Sequence, residues 1–263
     1  MCLLLIAIDA TPDLPLLLLG NRDEYHGRPS DAAAPWVEDA RVVGGRDRTA
    51  DGAWLGLRAD GRFAAVTNLR VGVPATAPKS RGWLVRDFLL GDAKPIDWLD
   101  QVRMQAGDYG PFNLVVGDRE GAFALGSSEG MVRSLPPGVH VVSNGAIGVD
   151  WPKTARLQRG FRDALRTGSV RDEAGLLDLL RDESLPLDEE LPDTGVGLQL
   201  ERRLAPVFIR GDRYGTRAAT LAQRHADGSL VLRERRFGPS AAAAGEDRWQ
   251  SLDGARFDST AAF

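Results

Sequence analysis

A single cysteine and a cluster of charges near the start of the chain are the residues best suited to catalysis. Cys2 is the only cysteine among 263 residues. Two apolar runs, residues 3–8 and 14–19, follow it, and the second run leads into Arg22-Asp23-Glu24. Two antiparallel strands of about six residues each would bring this cluster back beside Cys2. A neighbouring cation favours the thiolate, which is the reactive form of cysteine.

The position of Cys2 gives it a second catalytic group. Removal of Met1 would make Cys2 the first residue, with a thiol and an α-amine on the same residue. A free α-amine has a pKa of roughly 7.7–8.0 and can act as a base near neutral pH. An N-terminal cysteine can therefore supply both the nucleophile and its base.

Such a site also needs a group that orients the amine, and donors for the oxyanion that forms during acyl transfer. Asp23 or Glu24 could hold the ammonium, and Arg22 could lower the pKa of the thiol. Asn68 and Asn144 each end an apolar run and could supply amide donors. Either asparagine could equally be a turn residue that closes a strand.

Other interpretations of these residues stay open. His26 could form a Cys–His pair with Cys2, whereas His140 lies in an apolar strand and His225 in a turn. The charges after residue 19 could be a solvated strand end with surface ion pairs. Arg217 begins a predicted strand, where it is either a site residue or a surface cation.

Composition bounds the class of protein. The chain is 43% hydrophobic and 27% charged, with a net charge of −4 and no long basic tract, which argues against binding to nucleic acid. One cysteine excludes an internal disulfide and fits a reducing compartment. Asp9, Pro12, Asp13 and Pro15 interrupt the apolar N-terminus, so it predicts core strands rather than a secretory signal or a transmembrane segment. We therefore expect a cytoplasmic protein.

Local patterns predict alternating groups of strands and helices. The predicted strands beyond the first two are residues 42–47, 51–57, 63–68, 112–117, 121–125, 139–143, 206–210, 215–223 and 229–237, and the predicted helices are residues 82–90, 95–105, 152–166 and 172–181. Residues 25–36, residues 184–203 and the Ala/Gly-rich stretch near Glu246 are predicted as irregular. This order predicts an α+β fold of two packed antiparallel sheets with helices on each outer face, in a single domain, residues 1–263.

Several short motifs follow one another along nearly the whole chain. They are Met1-Cys2, Asn21-Arg22-Asp23-Glu24, Arg28-Pro29, Gly52-Ala53-Trp54-Leu55-Gly56, Thr67-Asn68, Ser80-Arg81-Gly82, Phe112-Asn113-Leu114, Ser143-Asn144, Trp151-Pro152-Lys153 and Tyr214-Gly215-Thr216-Arg217. Together they closely resemble the NRDE family, the family of the eukaryotic Transport and Golgi organisation protein 2 and its bacterial relatives. Motifs at matched spacing are far more specific than any one alone.

The resemblance implies a branch of the N-terminal nucleophile hydrolase fold, a four-layer αββα sandwich, similar to choloylglycine hydrolases and penicillin V acylases. By this resemblance, Cys2 is the nucleophile and base, with Arg22 beside it. Asn144 and the backbone N–H of Leu69, after Asn68, would be the oxyanion donors. Arg217 would close the site.

The charged cluster departs from the pattern of those acylases. They have Arg-Asn-x-Asp after the second strand, whereas here Arg22 is followed directly by Asp23 and Glu24. Because a strand alternates its faces, Arg22 and Glu24 share a face while Asp23 points away. We therefore favour Glu24 as the partner of the amine.

Two functions follow from the resemblance. The first is a hydrolase that cleaves a small acyl amide or thioester through an acyl-Cys2 intermediate, without a metal or cofactor. The second is a non-catalytic protein that binds and carries haem, or lipid and acyl-CoA, in the same pocket, and Cys2 or His26 would ligate the haem. A third interpretation is an interaction protein with an inert Cys2. The sequence predicts neither the substrate nor the oligomeric state.

Overall fold

The computed structural model describes residues 2–72 and 76–260, except for the side chain of Cys2. Within these residues, fourteen strands form two antiparallel sheets of seven strands each. In chain order the strands are β1 (Cys2–Thr11), β2 (Leu14–Tyr25), β3 (Ser30–Pro35), β4 (Val42–Asp47), β5 (Leu55–Arg58), β6 (Phe63–Asn68), β7 (Phe112–Gly117), β8 (Ala122–Gly126), β9 (Met131–Leu135), β10 (Gly138–Val142), β11 (Tyr214–Arg224), β12 (Leu230–Phe237), β13 (Ala243–Ser251) and β14 (Asp258–Thr260). The first sheet has the order β10-β1-β2-β11-β12-β13-β14, and the second runs from β3 to β9 in sequence order.

Five α-helices lie in the described part of the chain. They are α1 (Arg81–Leu90), α2 (Pro95–Met104), α3 (Pro152–Thr167), α4 (Glu173–Leu179) and α5 (Leu198–Leu204). Helices α1 and α2 pack on the second sheet, and α3 and α4 pack on the first. None of these five helices has the length and apolar content that a membrane span requires.

Apolar side chains that point alternately to the two faces of the central strands form three apolar cores. In β1, Leu3 and Leu5 pack towards α3 and α4, whereas Leu4 and Ile6 pack against the second sheet. Phe88 of α1 belongs to a third core, between the second sheet and its helices. Full burial of each such side chain contributes roughly 1.5–3 kcal/mol. The arrangement confirms the predicted four-layer αββα sandwich.

The first two strands form the predicted antiparallel hairpin but are longer than the apolar runs. Cys2 lies opposite Arg22, and Leu3 lies opposite Asn21. Strand β2 continues through the charged cluster to Tyr25, because the cluster also pairs with β11 on its other side. The cluster is thus part of a central strand rather than the segment that follows one.

Several elements arise from pairing that local patterns do not reveal. Residues 25–36, predicted as a loop, contain β3, which pairs with β4. Helix α5 lies at the end of the stretch 184–203 that was predicted as irregular, and β9, β13 and β14 were also not predicted. Strand β13 pairs along nearly all of β12, where ion pairs such as Arg233–Glu246 take the place of apolar alternation.

Residues 206–209 are buried and Arg210 is exposed, and the stretch 206–210 does not form the predicted strand. The Phe208 N–H donates to the Asp182 carbonyl at 2.8 Å, and the Ile209 N–H donates to the Thr216 hydroxyl at 2.9 Å. A short apolar run does not distinguish a strand from other buried chain. The prediction was wrong here because the backbone N–H groups of this stretch donate to a side chain and to a loop carbonyl instead of to a neighbouring strand.

Candidate active site

A cavity of about 540 Å³ lies where the second half of β2 meets the end of β6 and the start of α1. Strand β2 contributes residues 22–24, the last residue of β6 and the chain after it contribute residues 68–72, and the cap and first two residues of α1 contribute residues 80–82. The volume is typical of small-molecule sites. Motifs that lie far apart in the sequence therefore converge on one cavity.

Cys2 is placed beside this cavity by its backbone. It lies opposite Arg22 in the β1–β2 ladder, and Arg22 lines the cavity. Residues opposite each other in such a ladder have Cα atoms about 4.5–5.5 Å apart. The side chain of Cys2 lies outside the described atoms, so its role as nucleophile stays a prediction.

Arg22 is a buried cation without a hydrogen-bonding or ion-pair partner for its guanidinium in the described part of the chain. The residue is 6% exposed, and its Cζ lies 4.4 Å from the centre of the Trp54 ring. A ring face attracts a cation only modestly. The guanidinium therefore retains the capacity to stabilise an anion in the cavity.

Asp23 is the buried carboxylate of the cluster. The Thr216 hydroxyl donates to Asp23 Oδ1 at 2.7 Å. Burial raises the pKa of Asp23, while the charge of Lys153, the hydrogen bond from Thr216 and the charge of Arg22 act in the opposite direction. Desolvation combined with specific charged neighbours is common at functional sites.

Glu24 is more exposed and has different partners. Its carboxylate accepts a hydrogen bond from the Tyr25 N–H at 2.8 Å and lies 3.9 Å from the Arg28 guanidinium. Glu24 and Asp23 both line the cavity, so the choice between them depends on burial and partners as well as on strand face. Which carboxylate would hold the amine stays a prediction.

Two of the predicted oxyanion donors are already hydrogen bonded within the protein. The Leu69 N–H donates to the Pro111 carbonyl at 3.0 Å, and the Asn144 side-chain amide donates to the Asn68 carbonyl at 2.9 Å. Asn144 is fully buried, whereas Asn68 lines the cavity. The Leu69 N–H is thus occupied in this structure, and the oxyanion roles of these residues stay predictions.

Lys153 is a buried cation to which sequence reasoning gave no role. It is 2% exposed, and its Nζ donates to Asn144 Oδ1 at 3.1 Å and to the Leu204 carbonyl at 3.4 Å. Its charge lowers the pKa of Asp23. The Trp151-Pro152-Lys153 motif contained this residue, but a lysine near a helix start is usually exposed.

A buried ion pair fixes the cavity wall next to Asn68. Arg70 pairs with Glu201 of α5, and their side chains are 6% and 3% exposed. Glu201 Oε1 also accepts hydrogen bonds from the Thr194 N–H and hydroxyl at 2.9 and 2.5 Å, and the Arg70 guanidinium lies 4.9 Å from the centre of the Trp151 ring. Sequence reasoning missed the pair because its acidic member lies in a stretch predicted as irregular.

Arg217 forms hydrogen bonds to the turn that follows β2. It lies at an irregularity of the β2–β11 ladder, where an extra residue re-aims a side chain. Its guanidinium donates to the Tyr25 carbonyl at 3.3 Å and to the Arg28 carbonyl. Burial lowers the pKa of Arg217, and the charge of Arg22 adds to this. It is not among the residues that line the cavity, and its predicted role in closing the site stays untested.

His26 also lies outside the cavity lining. Its Nε2 is 3.1 Å from the Gly211 carbonyl oxygen, and burial lowers its pKa. The alternative Cys–His pair therefore gains no support from the position of His26. Across residues 2–72 and 76–260, no group of three His, Cys, Asp or Glu side chains is arranged to hold a metal ion.

Comparison with known proteins supplies the family. The chain is 29% identical over 261 residues to the Transport and Golgi organization protein 2 homolog of Homo sapiens, covering 89% of this chain and 92% of the human protein. Among solved structures it is similar to a mutant of the conjugated bile acid hydrolase from Clostridium perfringens, with a TM-score of 0.48 and 10% identity over 100% of this chain and 97% of that chain. It is also similar to penicillin V acylase from Agrobacterium tumefaciens, with a TM-score of 0.48 and 14% identity over 100% and 98% of the two chains. The family model for Transport and Golgi organisation 2 matches residues 1–239, and the chain belongs to this family.

Proposed function

We propose that the chain is a cysteine hydrolase that cleaves a small acyl amide or thioester through an acyl-Cys2 intermediate. The main observation that supports this proposal is the register of the first hairpin, which places Cys2 opposite Arg22 beside a cavity of about 540 Å³. A thiolate next to this guanidinium would be stabilised, and it would therefore be reactive near neutral pH.

The proposed reaction requires removal of Met1, which frees the α-amine of Cys2. The amine takes the thiol proton as the thiolate attacks the acyl carbonyl, and a tetrahedral oxyanion forms. Collapse breaks the C–N bond of an amide or the C–S bond of a thioester, and the leaving amine or thiol takes the proton from the α-ammonium. Water, with the amine as base, then cleaves the acyl-Cys2 thioester, which releases the acid and restores the thiol.

The neighbouring residues would divide the supporting roles. Asp23 is a better partner for the α-ammonium than Glu24, because Asp23 is buried. The Glu24 carboxylate instead accepts a hydrogen bond from the Tyr25 N–H and lies near the Arg28 guanidinium. Asn68 lines the cavity and could donate its amide to the oxyanion. Asn144 would act indirectly, by holding the Asn68 carbonyl.

Binding of an acyl ligand without cleavage is a second candidate, and one observation favours it. The Leu69 N–H and the Asn144 amide donate to backbone carbonyls, so the cavity has fewer preset donors than acyl transfer uses. The chain would then carry a lipid or acyl-CoA. Haem fits less well, because the described cavity lining contains no histidine and Cys2 alone would remain as an axial ligand.

The state of Cys2 in protein purified from cells tests the proposal. Intact mass shows whether Met1 is present, and brief incubation with short acyl amides and thioesters shows whether an acyl group becomes attached to Cys2. For a hydrolase we expect loss of Met1, a transient acyl adduct, and loss of both adduct and turnover in Cys2→Ala. Cys2→Ser is the matched control, because it keeps the α-amine and replaces only the thiol.

Two outcomes contradict the hydrolase. Turnover that survives in Cys2→Ala excludes Cys2 as the nucleophile. Retention of Met1 in protein that binds the acyl probes removes the α-amine as base, and it supports the binding alternative.

A further inference from the structure

Lys153 is buried at the start of α3, although a lysine at a helix start can normally extend its ammonium into solvent. The residue is 2% exposed. The Trp151 N–H donates to Thr154 Oγ1 at 2.8 Å, and this hydroxyl donates to the Trp151 carbonyl at 2.8 Å, so the first turn of the helix is fixed. Burial of an ammonium costs free energy, and the proposed reaction gives Lys153 no role that would explain this cost.

The Lys153 ammonium fixes the orientation of one side-chain amide. Its Nζ donates to Asn144 Oδ1 at 3.1 Å, and the other end of the same amide, Asn144 Nδ2, donates to the Asn68 carbonyl at 2.9 Å. An ammonium has three donors and no acceptor. A flipped amide would therefore place two donors against each other and its oxygen against the Asn68 carbonyl. Lys153 thus favours one of the two orientations.

Asn144 holds the cavity wall at residues 68–70 from both ends. Its side chain donates to the Asn68 carbonyl, and its own carbonyl accepts a hydrogen bond from the Arg70 N–H at 2.7 Å. Asn68 lines the cavity, whereas Asn144 is fully buried and Lys153 is not among the lining residues. Hydrogen bonds therefore connect the ammonium to the cavity through Asn144 and Asn68, without direct contact with a ligand.

We infer that Lys153 is a positioning residue for acyl transfer: it orients the Asn144 amide, and Asn144 in turn holds Asn68 where its own amide reaches the oxyanion. The inference rests on the proposed function, in which Asn68 is the donor that faces the cavity. Oxyanion donors act only at defined distances from the oxygen that becomes charged, and a displacement of about 1 Å can cost on the order of a hundredfold in rate. Loss of the ammonium should therefore slow acylation of Cys2 without weakening substrate binding.

Two variants test this arrangement with S-octanoyl-N-acetylcysteamine, a neutral acyl thioester, as the substrate. Lys153→Met keeps the length of the side chain and removes the ammonium, whereas an ionised Asn144→Asp still accepts from Lys153 but cannot donate to Asn68. Each should lower kcat by about tenfold or more and change KM by less than about twofold. Lys94→Met is the matched control and should change neither, because Lys94 also lies at a helix start, before α2, but is exposed and outside the cavity lining.

A double-variant cycle separates positioning from a general effect on the structure. If Lys153 acts through Asn68, Lys153→Met should slow the Asn68→Ala protein by less than about twofold, because the donor that it positions is already absent. Thermal unfolding first shows which variants fold. If Lys153→Met does not fold, Asn144→Asp takes its place in the cycle.

Nuclear magnetic resonance of the Asn144 side-chain amide supplies a measurement that does not need turnover. In the parent, its N–H groups should exchange slowly with solvent, because the residue is fully buried and the amide is hydrogen bonded at both ends. Lys153→Met should accelerate this exchange by about tenfold or more, since the amide then loses the bond that orients it.

The outcomes separate this inference from the proposed function. A parent that forms no acyl-Cys2 contradicts the proposed function, and the amide exchange then still decides whether Lys153 orients Asn144. Parental kcat in Lys153→Met, a rise in KM alone, or effects that multiply in the cycle overturns the positioning role and leaves the hydrolase proposal standing. Unchanged exchange of the Asn144 amide in Lys153→Met overturns the orientation itself.

Discussion

Strand β2 passes through two regions of the molecule that are buried to a similar degree but differ in chemistry. From Leu14 to Leu19, its leucines fill the apolar cores on both faces of the first sheet. Asn21, Arg22 and Asp23 are buried nearly as deeply, yet they are polar or charged. Burial in the first half stabilises the fold, whereas burial in the second half costs free energy unless partners compensate.

The compensation in the second half is incomplete, since Asn21 Oδ1 is buried without a hydrogen-bond partner in the described part of the chain. The Asn21 amide donates to the Leu180 and Val207 carbonyls at 2.9 and 2.8 Å, and Asp23 accepts from Thr216. The Arg22 guanidinium has no such bond among the described residues. The difference between the two halves thus identifies Arg22 as the group whose charge a thiolate or an anionic ligand would neutralise.

The largest effect is expected from the ion pair in the cavity wall. Glu201→Ala leaves Arg70 charged and buried, so it should lower the free energy of unfolding by about 4 kcal/mol. Chemical denaturation measures this change. The double variant Arg70→Met, Glu201→Leu should recover most of the loss, because it leaves no unpaired charge. A single variant as stable as the parent would show that Arg70 finds water or another partner.

A core substitution should separate stability from binding. Leu18 is completely buried between the sheets, so Leu18→Ala should cost about 3 kcal/mol, while Leu18→Met should cost less than about 1.5 kcal/mol. The folded Leu18→Ala protein should bind the acyl probes as the parent does, which titration would measure. Loss of binding in a folded Leu18→Ala protein would mean that the apolar half of β2 also shapes the cavity.

The smallest effect concerns a carboxyl group in the inter-sheet layer. Glu234 accepts hydrogen bonds from the Ala33 N–H at 2.9 Å and the Thr220 hydroxyl at 3.2 Å. Burial raises its pKa above the ordinary 4.5, against the opposing effect of those bonds and of the charges of Arg236 and Arg22. The folded state then holds the proton more tightly than the unfolded state does. The stabilisation that this tighter proton binding gives the folded state is complete below pH 4.5 and is lost as the pH rises through the folded-state pKa.

Glu234→Gln cannot ionise, so it should be more stable than the parent near neutral pH and equally stable in acid. Unfolding measured over a pH series tests this. Glu234→Ala, which loses both hydrogen bonds, should be less stable at every pH. A parent that instead gains stability over Glu234→Gln as the pH rises would show that the protein favours the ionised carboxylate.

The parts of the fold that were predictable are those with strong local patterns. The bounds of β6 and β7 match the predictions, because apolar residues and turns delimit both strands. The opposition of Cys2 and Arg22 follows from a single hairpin, so sequence spacing was sufficient for it. Strands β3 and β13 depend on their neighbours for pairing rather than on their own apolar pattern, and local reasoning missed them.

The rest of the site depends on partners that are distant in sequence. The hydroxyl that bonds Asp23 belongs to Thr216, 193 residues further along the chain. The partner of Arg70 is Glu201, and Lys153 reaches Asn144 from α3. No local pattern indicates such contacts, so alternation alone favoured Glu24, and sequence reasoning gave Arg70 and Lys153 no role.

The pH dependence of Cys2 alkylation tests the central claim most directly. Protein without Met1 would be treated with iodoacetamide over a pH series, and the rate would be followed by intact mass. We expect the parent to react with a midpoint below the free-cysteine pKa of about 8.5, and Arg22→Gln to shift that midpoint upwards by about one unit. The midpoint for Arg22→Lys, which keeps the charge, should lie between those of the parent and Arg22→Gln. A parent midpoint at or above about 8.5 that Arg22→Gln leaves unchanged would contradict the account, because Arg22 would then not act on the Cys2 thiol.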